Sequence, residues 1–258
     1  MSGPNTRQQP QQGVQIHLRW LVLLASMIVL VLLRRHRVLL TIYVALFCTG
    51  SLLYLLWLPK FMASQERKFT REALRLITSG DISGLKALAQ RQGLIRRFGR
   101  RHVIPDTLAM GAASVGDHEA ACHLYAEALQ HAPPEDRVRI ELNLAAEEVQ
   151  TGRLDAAEGR YRAILRKRPG QLIAVGQLGR LLVKKEAFSE AIDHLKQALE
   201  MANGSEAAGL KLALAEALIL TGDASGQALA QEAGSEGASS EEVSRVLALS
   251  SSQRDTRG

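Results

Sequence analysis

Two hydrophobic patterns divide the chain. From residue 38 to residue 58 there are 21 positions without a formal charge. As a helix this run is apolar on every side and covers about 30 Å of hydrocarbon at about 1.5 Å per residue. A shorter uncharged run of 14 residues, 20–33, precedes it and reaches only about 21 Å. Beyond residue 60 the apolar positions instead recur at helical spacing, in stretches separated by polar turns. Ala73, Leu76, Leu85 and Leu88 flank Gly80 in this way, and Val243, Val246 and Leu247 make the last such stripe.

The turns between these stripes are themselves periodic. Ser79-Gly80-Asp81, Val115-Gly116-Asp117, Thr151-Gly152-Arg153 and Thr221-Gly222-Asp223 follow one another at intervals of 36, 36 and 70 residues. Seventy is two periods with one turn altered. Self-similarity at a fixed period of about 34 residues predicts a solenoid of stacked helix pairs. The first unit holds Leu108-Ala109, Gly116, Ala121, Tyr125, Ala128-Leu129 and Pro133. Leu144-Ala145, Gly152, Ala157, Tyr161, Ile164-Leu165 and Pro169 repeat the series. Leu178-Gly179, Phe188, Ala191, Leu195 and Ala198-Leu199 repeat it again without a closing Pro. Leu214-Ala215 and Gly222 open a fourth unit, where Gln227 and Gln231 stand at the expected small and aromatic positions. The small residues let antiparallel helices approach, the glycines allow a left-handed turn, and Pro134 suits a first helical turn.

At these positions the chain resembles the tetratricopeptide-repeat family, over about residues 102–234. That pattern asks for Leu-Gly in the first helix, Ala and then an aromatic four later in the second, and Pro at the end. The consensus Trp is absent; Pro105, Glu141 and Val175 stand in its place. The expected fold is all-α: an N-terminal transmembrane helical hairpin followed by a tetratricopeptide-like right-handed α-solenoid. The resemblance further implies that the first helices line a concave groove that binds a protein or peptide. It places Met110, Arg139, Asn143, Gln177, Arg180, Lys184 and Glu216 in that groove, with Asn143 matching the family's peptide-gripping Asn. Asp106, Met110, Ile173 and Gln177 occupy positions where the carboxylate-clamp subgroup carries basic residues and a second Asn, so a chaperone C-terminal tail is not implied.

The organisation expected is a disordered tail at 1–13 and a membrane anchor at 14–59. The anchor's helices, 18–33 and 38–58, are joined by the basic turn Arg34-Arg35-His36-Arg37, and Pro59 stops the second. A basic connector and N-terminal cap follows at 60–101. Repeats are expected at 102–135, 138–171, 172–205 and 208–234. The capping box Ser239-Ser240-Glu241-Glu242 predicts a last helix at 240–249, with residues from 250 disordered.

Charge sharpens the picture. Residues 1–59 hold five Arg and no acid, and 60–101 hold eleven basic residues against three acids. Residues 102–258 hold sixteen basic and twenty-three acidic residues. An acidic repeat body argues against a nucleic-acid partner, whereas a basic excess beside an apolar run suits an anionic membrane surface. Arg96, Arg97, Arg100 and Arg101, around Phe98, are the residues for such a contact; the alternative function is anionic-lipid or nucleic-acid binding through 91–102. Keeping the tight basic turn cytoplasmic puts both ends of the hairpin outside. Lys60, Arg67, Lys68, Arg71 and Arg75 pull the other way, but a large domain crosses with little regard to charge. The location expected is therefore a bacterial inner membrane with extracytoplasmic repeats. The layout is similar to that of membrane-tethered repeat proteins that help assemble envelope complexes.

Catalytic signatures do not emerge. His118-Glu119-Ala120-Ala121-Cys122-His123 only superficially matches the zinc-protease motif, because position i+4 is Cys122. There is no Walker loop, dinucleotide fingerprint, CxxC pair or nucleophile elbow. No enzyme activity, cofactor or metal is expected. Cys48 and Cys122 do not suggest a disulfide framework.

Overall fold

A computed structural model of the chain describes residues 27, 28, 31, 37–203 and 205–255. Their regular structure is α-helical throughout. The expected tail at 1–13 lies outside the described residues. So does the first membrane helix, 18–33, apart from helical Met27, Ile28 and Val31. The chain divides into two compact units, Met1–Phe61 and Met62–Gly258.

In the first unit the described structure, beyond Met27, Ile28 and Val31, is the leading part of helix α1 (Arg37–Thr78). Val38, Leu46, Leu53 and Leu55 are all well exposed, and Trp57 stacks on Phe61 with ring centroids 4.7 Å apart. Among the described residues α1 is the one helix long and apolar enough to cross a membrane. Pro59 does not stop it: α1 runs on to Thr78. Proline removes one N–H and crowds one carbonyl, but the residues after it make their own helical stripe. Met62, Glu66, Phe69 and Ala73 are buried at i, i+4, i+7 and i+11, so packing offsets the loss.

The second unit is a succession of helix pairs. After the end of α1 come α2 (Ile82–Gln90) and the short α3 (Gly93–Phe98). Then follow α4 (Val103–Ser114) with α5 (His118–His131), and α6 (Pro134–Gln150) with α7 (Leu154–Lys167). Next are α8 (Leu172–Lys184) with α9 (Phe188–Met201), α10 (Ser205–Thr221) with α11 (Ser225–Ser235), and finally α12 (Ser240–Asp255). From α4 onward each helix packs against the next one in the chain, and α6 with α8 and α8 with α10 also touch. At the end of α1 and on α2, Ile77, Ile82 and Leu85 close over Gly111 of α4, leaving no room for a Cβ there.

The turn ladder is complete. Gly80, Gly116, Gly152 and Gly222 have φ of +74°, +78°, +78° and +86°. The turn missing from the sequence pattern is Glu186, the one described non-glycine residue at positive φ, +60°. At each of these turns the following N–H donates to the carbonyl five residues back, as Asp117 does to Ala112 and Ala187 to Leu182. This is the double closure that uses up the last carbonyls of a helix. Asp81, Asp117 and Asp223 then accept a backbone N–H from the start of the next helix, so Gly-Asp ends one helix and begins another.

Pattern and burial agree on which helices lie inside. On α6, Ile140 and Leu144 join the core of the first repeat, while Leu142 and Ala145 join that of the next two. On α10, Leu210, Leu214 and Ala217 face backward and Leu212, Ala215 and Ile219 forward. First helices are sandwiched and apolar on two sides. Second helices bury one stripe, such as Ala157, Tyr161 and Ile164. In the fourth unit the inward stripe of α11 is Gly226, Ala230 and Ala233. It runs one residue ahead of the expected Gln227 and Gln231. Gly226 sits so close to Ala215 and Ile219 that a Cβ would meet them at 2.8 Å. Val246 of α12 is buried in this last cluster. That helix reaches Asp255, beyond the expected stop at 249.

A β-carbon in the left-handed region costs about 1–2 kcal/mol, partly offset by the freedom that glycine adds to the unfolded chain. Glu186→Gly should therefore raise the unfolding free energy by about 1 kcal/mol, read by chemical denaturation, and Gly116→Ala should lower it by a similar amount. A Glu186→Gly variant no more stable than the parent would contradict this account of the turn.

Candidate functional site

The seven groove candidates all fall on first helices. Met110 is on α4, Arg139 and Asn143 on α6, Gln177, Arg180 and Lys184 on α8, and Glu216 on α10. Helices α6 and α8 touch directly, as do α8 and α10, so the first helices form a continuous row. Two arginines cross between members of that row. Arg139 makes a two-pronged ion pair with Asp106 of α4, at 3.1 Å and 2.6 Å. Arg180 reaches over to Gly209 of α10, where its guanidinium would lie 2.9 Å from an added Cβ. A side chain at 209 would push it away.

The two ends of the row differ in chemistry. At α4 and α6 the polar groups satisfy one another. The Asp106 hydrogen bonds raise the Arg139 pKa further. Burial first, and then the Asp106 charge, push the Tyr125 phenol well above its usual range, with Asn143 beside it. Met110 packs against the core of the first repeat. At α8 and α10 the groups are open: among the described residues the side chains of Gln177, Arg180, Lys184 and Glu216 carry no hydrogen bond or ion pair. Arg180 and Lys184 are exposed, one turn apart, and exposed Ile173 lies on the same helix.

The basic segment is also divided. Arg100 is engaged internally: its backbone N–H and Nε donate to Glu66 at 2.7 Å and 2.9 Å, and Nη1 to Asp136 at 3.2 Å. Buried His102 meets the same Asp136 through Nε2 at 2.9 Å. Arg96, Arg97 and Arg101 remain exposed without an acidic partner among the described residues. At the pseudo-motif, His118 Nδ1 lies 2.6 Å from Glu147 of α6, while His123 is exposed. No group of three or more metal-ligating side chains forms among the described residues.

Sequence reasoning missed the acidic partners. Glu66, Asp106 and Glu148 are buried carboxylates, each held by an arginine. Asp106 and Arg139 lie 33 residues apart and Glu66 and Arg100 lie 34 apart, close to one repeat length. Opposite charges at that separation were the available signal. A further cluster joins units on the second-helix side: Lys185 and Arg162 bind Glu158 at 2.6 Å and 2.8 Å, and Arg162 reaches Glu190 at 2.7 Å.

No protein-family model and no curated protein matches this sequence. Solved structures do. YrrB, described as a tetratricopeptide-repeat protein with an unusual peptide-binding site, superposes with a TM-score of 0.52 at 11% identity, covering 73% of this chain and 96% of that one. MamA of Desulfovibrio magneticus, from residue 41 to its end, gives 0.52 at 14% identity, covering 74% and 98%. The C-terminal part of a tetratricopeptide-repeat protein from Cytophaga hutchinsonii gives 0.52 at 12% identity, covering 65% and 64%. At such identities the likeness is one of fold, and the fold is the tetratricopeptide-repeat α-solenoid.

The Glu158 cluster carries a pH signature. Hydrogen bonds from Lys185, and then from Arg162, hold the Glu158 carboxyl below its ordinary 4.5. A lowered folded pKa stabilises above the unfolded value, and the benefit is lost as pH falls through the folded one. Glu158→Gln should therefore be less stable than the parent at about pH 7, with a narrower gap at about pH 3. Denaturation curves at the two pH values decide it; an equal gap at both would contradict the ionic role.

Proposed function

We propose that the chain is a membrane-tethered scaffold that holds a protein or peptide against its row of first helices. One observation carries this reading: Gln177, Arg180 and Lys184 stand together on the middle helix of the row with their polar groups unspent. On the neighbouring first helix α6, by contrast, Arg139 and Glu148 are held in ion pairs. YrrB, with the same fold, is described as having a peptide-binding site, which favours the same use here. Arg139 and Asn143 extend the surface towards α4, and Glu216 bounds it on α10.

Such a surface is formed before the partner arrives, so association avoids much of the ordering cost. The apolar stretch of α1 is the tether. It confines encounters to the membrane and raises effective concentration without any new contact. The reading includes a bacterial inner membrane, extracytoplasmic repeats, and a role in assembling envelope complexes rather than catalysis. The basic connector, residues 60–101, and the final helix cap the two ends of the repeat stack.

A photo-crosslinking amino acid placed at Gln177 in the full chain should capture a discrete partner in cells. The same group at Lys196, exposed on second helix α9, should not. Capture at 177 should fall at least about tenfold with Arg180→Glu and Lys184→Glu, as expected when several charge-assisted contacts are lost. Equal capture at both positions, or capture indifferent to the two substitutions, would refute the groove.

A further inference from the structure

Helix α3 has a face that the repeat scaffold does not use. Ile95 anchors this short helix in the core, while Leu94 and Phe98, one turn apart, are 54% and 44% exposed. The Arg97 guanidinium lies 5.8 Å from the centre of the Phe98 ring. A connecting segment needs no exposed apolar pair, and large side chains displayed beside unpaired cations mark a contact surface.

Next to this helix is a cleft of about 280 Å³. Its walls are Ile95, Ile104, Pro105, Leu108 and Leu124, all apolar. Arg96, Arg100 and Arg101 also line it, with Glu127 as the one acid. The nearby carboxylates of Glu66 and Asp136 are already engaged by Arg100 and His102. Positive charge therefore outweighs negative on a surface that is also apolar. Those are the two requirements of an interfacial lipid site: buried hydrocarbon contact and attraction to phosphate.

We propose that this face docks on an anionic bilayer. Leu94 and Phe98 enter the boundary between headgroups and acyl chains, and Arg96, Arg97 and Arg101 pair with lipid phosphates. The cleft gives one anionic phospholipid apolar walls beside those guanidiniums. This contact is separate from the groove on α8 and does not depend on the identity of the scaffold's partner.

The test uses the full chain carrying Phe98→Trp, with Trp20→Phe and Trp57→Phe to clear the background. It is mixed by detergent removal with vesicles of zwitterionic phosphatidylcholine alone, or with about one-third phosphatidylglycerol, a content that sets up a substantial negative surface potential. Each vesicle set is made with and without bromine on the acyl chains. The expected result is a blue-shifted emission, quenched by brominated chains in the anionic vesicles and not in the zwitterionic ones. Arg96→Glu, Arg97→Glu and Arg101→Glu together should reduce quenching to the zwitterionic level while circular dichroism stays unchanged. Absence of quenching in anionic vesicles, or quenching equal in both, would overturn the proposal, as would quenching that survives the triple substitution. Soluble glycerol phosphate producing the same shift in zwitterionic vesicles would identify a free phosphate site instead. Capture of single-stranded RNA that the triple variant abolishes, without any lipid effect, would assign the face to nucleic acid.

Discussion

In every pair the first helix ends with one residue held in the left-handed region, and the stack depends on that reversal. It turns the chain through the tight angle that sets two helices antiparallel, and its two backbone hydrogen bonds close the carbonyls left open at the helix end. Glycine does this without steric cost at 80, 116, 152 and 222, while Glu186 does it with a β-carbon in place. The intervals along this ladder are 36, 36, 34 and 36 residues. Because the reversal comes at nearly the same point in each unit, the inward stripes that follow meet their neighbours in register.

That register explains why first and second helices look so different in sequence. A first helix such as α10 is covered by the preceding unit on one side and by its own partner and α12 on the other, so apolar residues surround most of it. A second helix buries a single stripe, as with Ala191, Leu195 and Ala198 on α9. With two sides taken by packing, a first helix has one remaining strip for polar groups. Between α4 and α6 that strip is closed by Arg139 and Asp106; on α8 it is open. The proposed function is a reading of that difference.

Much of the fold was legible because its punctuation is chemically distinctive. Glycine turns, closing prolines and the Ala-Tyr spacing report local geometry that few other residues satisfy. What escaped has physical reasons of its own. Glu186 carries no compositional sign of a left-handed backbone. Pro59 reads as a stop, yet burial of the residues after it sustains the helix. The shifted stripe of α11 goes with an Ala224 already in helical conformation, where the other second helices begin from a more extended residue, and spacing from the glycine cannot reveal it. Among site residues, the first-helix positions were legible, but their state was not. Arg100 and Arg139 read as free cations until Glu66 and Asp106, each about one repeat away, were brought against them.

The central claim is that adjacent pairs share one continuous core that sets the row of first helices, and native-state amide exchange on the full chain tests it most directly. In a nearest-neighbour stack, units flanked on both sides open least often. The account predicts slowest exchange at Leu178 and Leu182 in α8 and Leu195 in α9, where the largest buried cluster lies, with protection falling towards α4 and α11. Helix pairs that exchange independently, with α8 no better protected than the outer units, would contradict it.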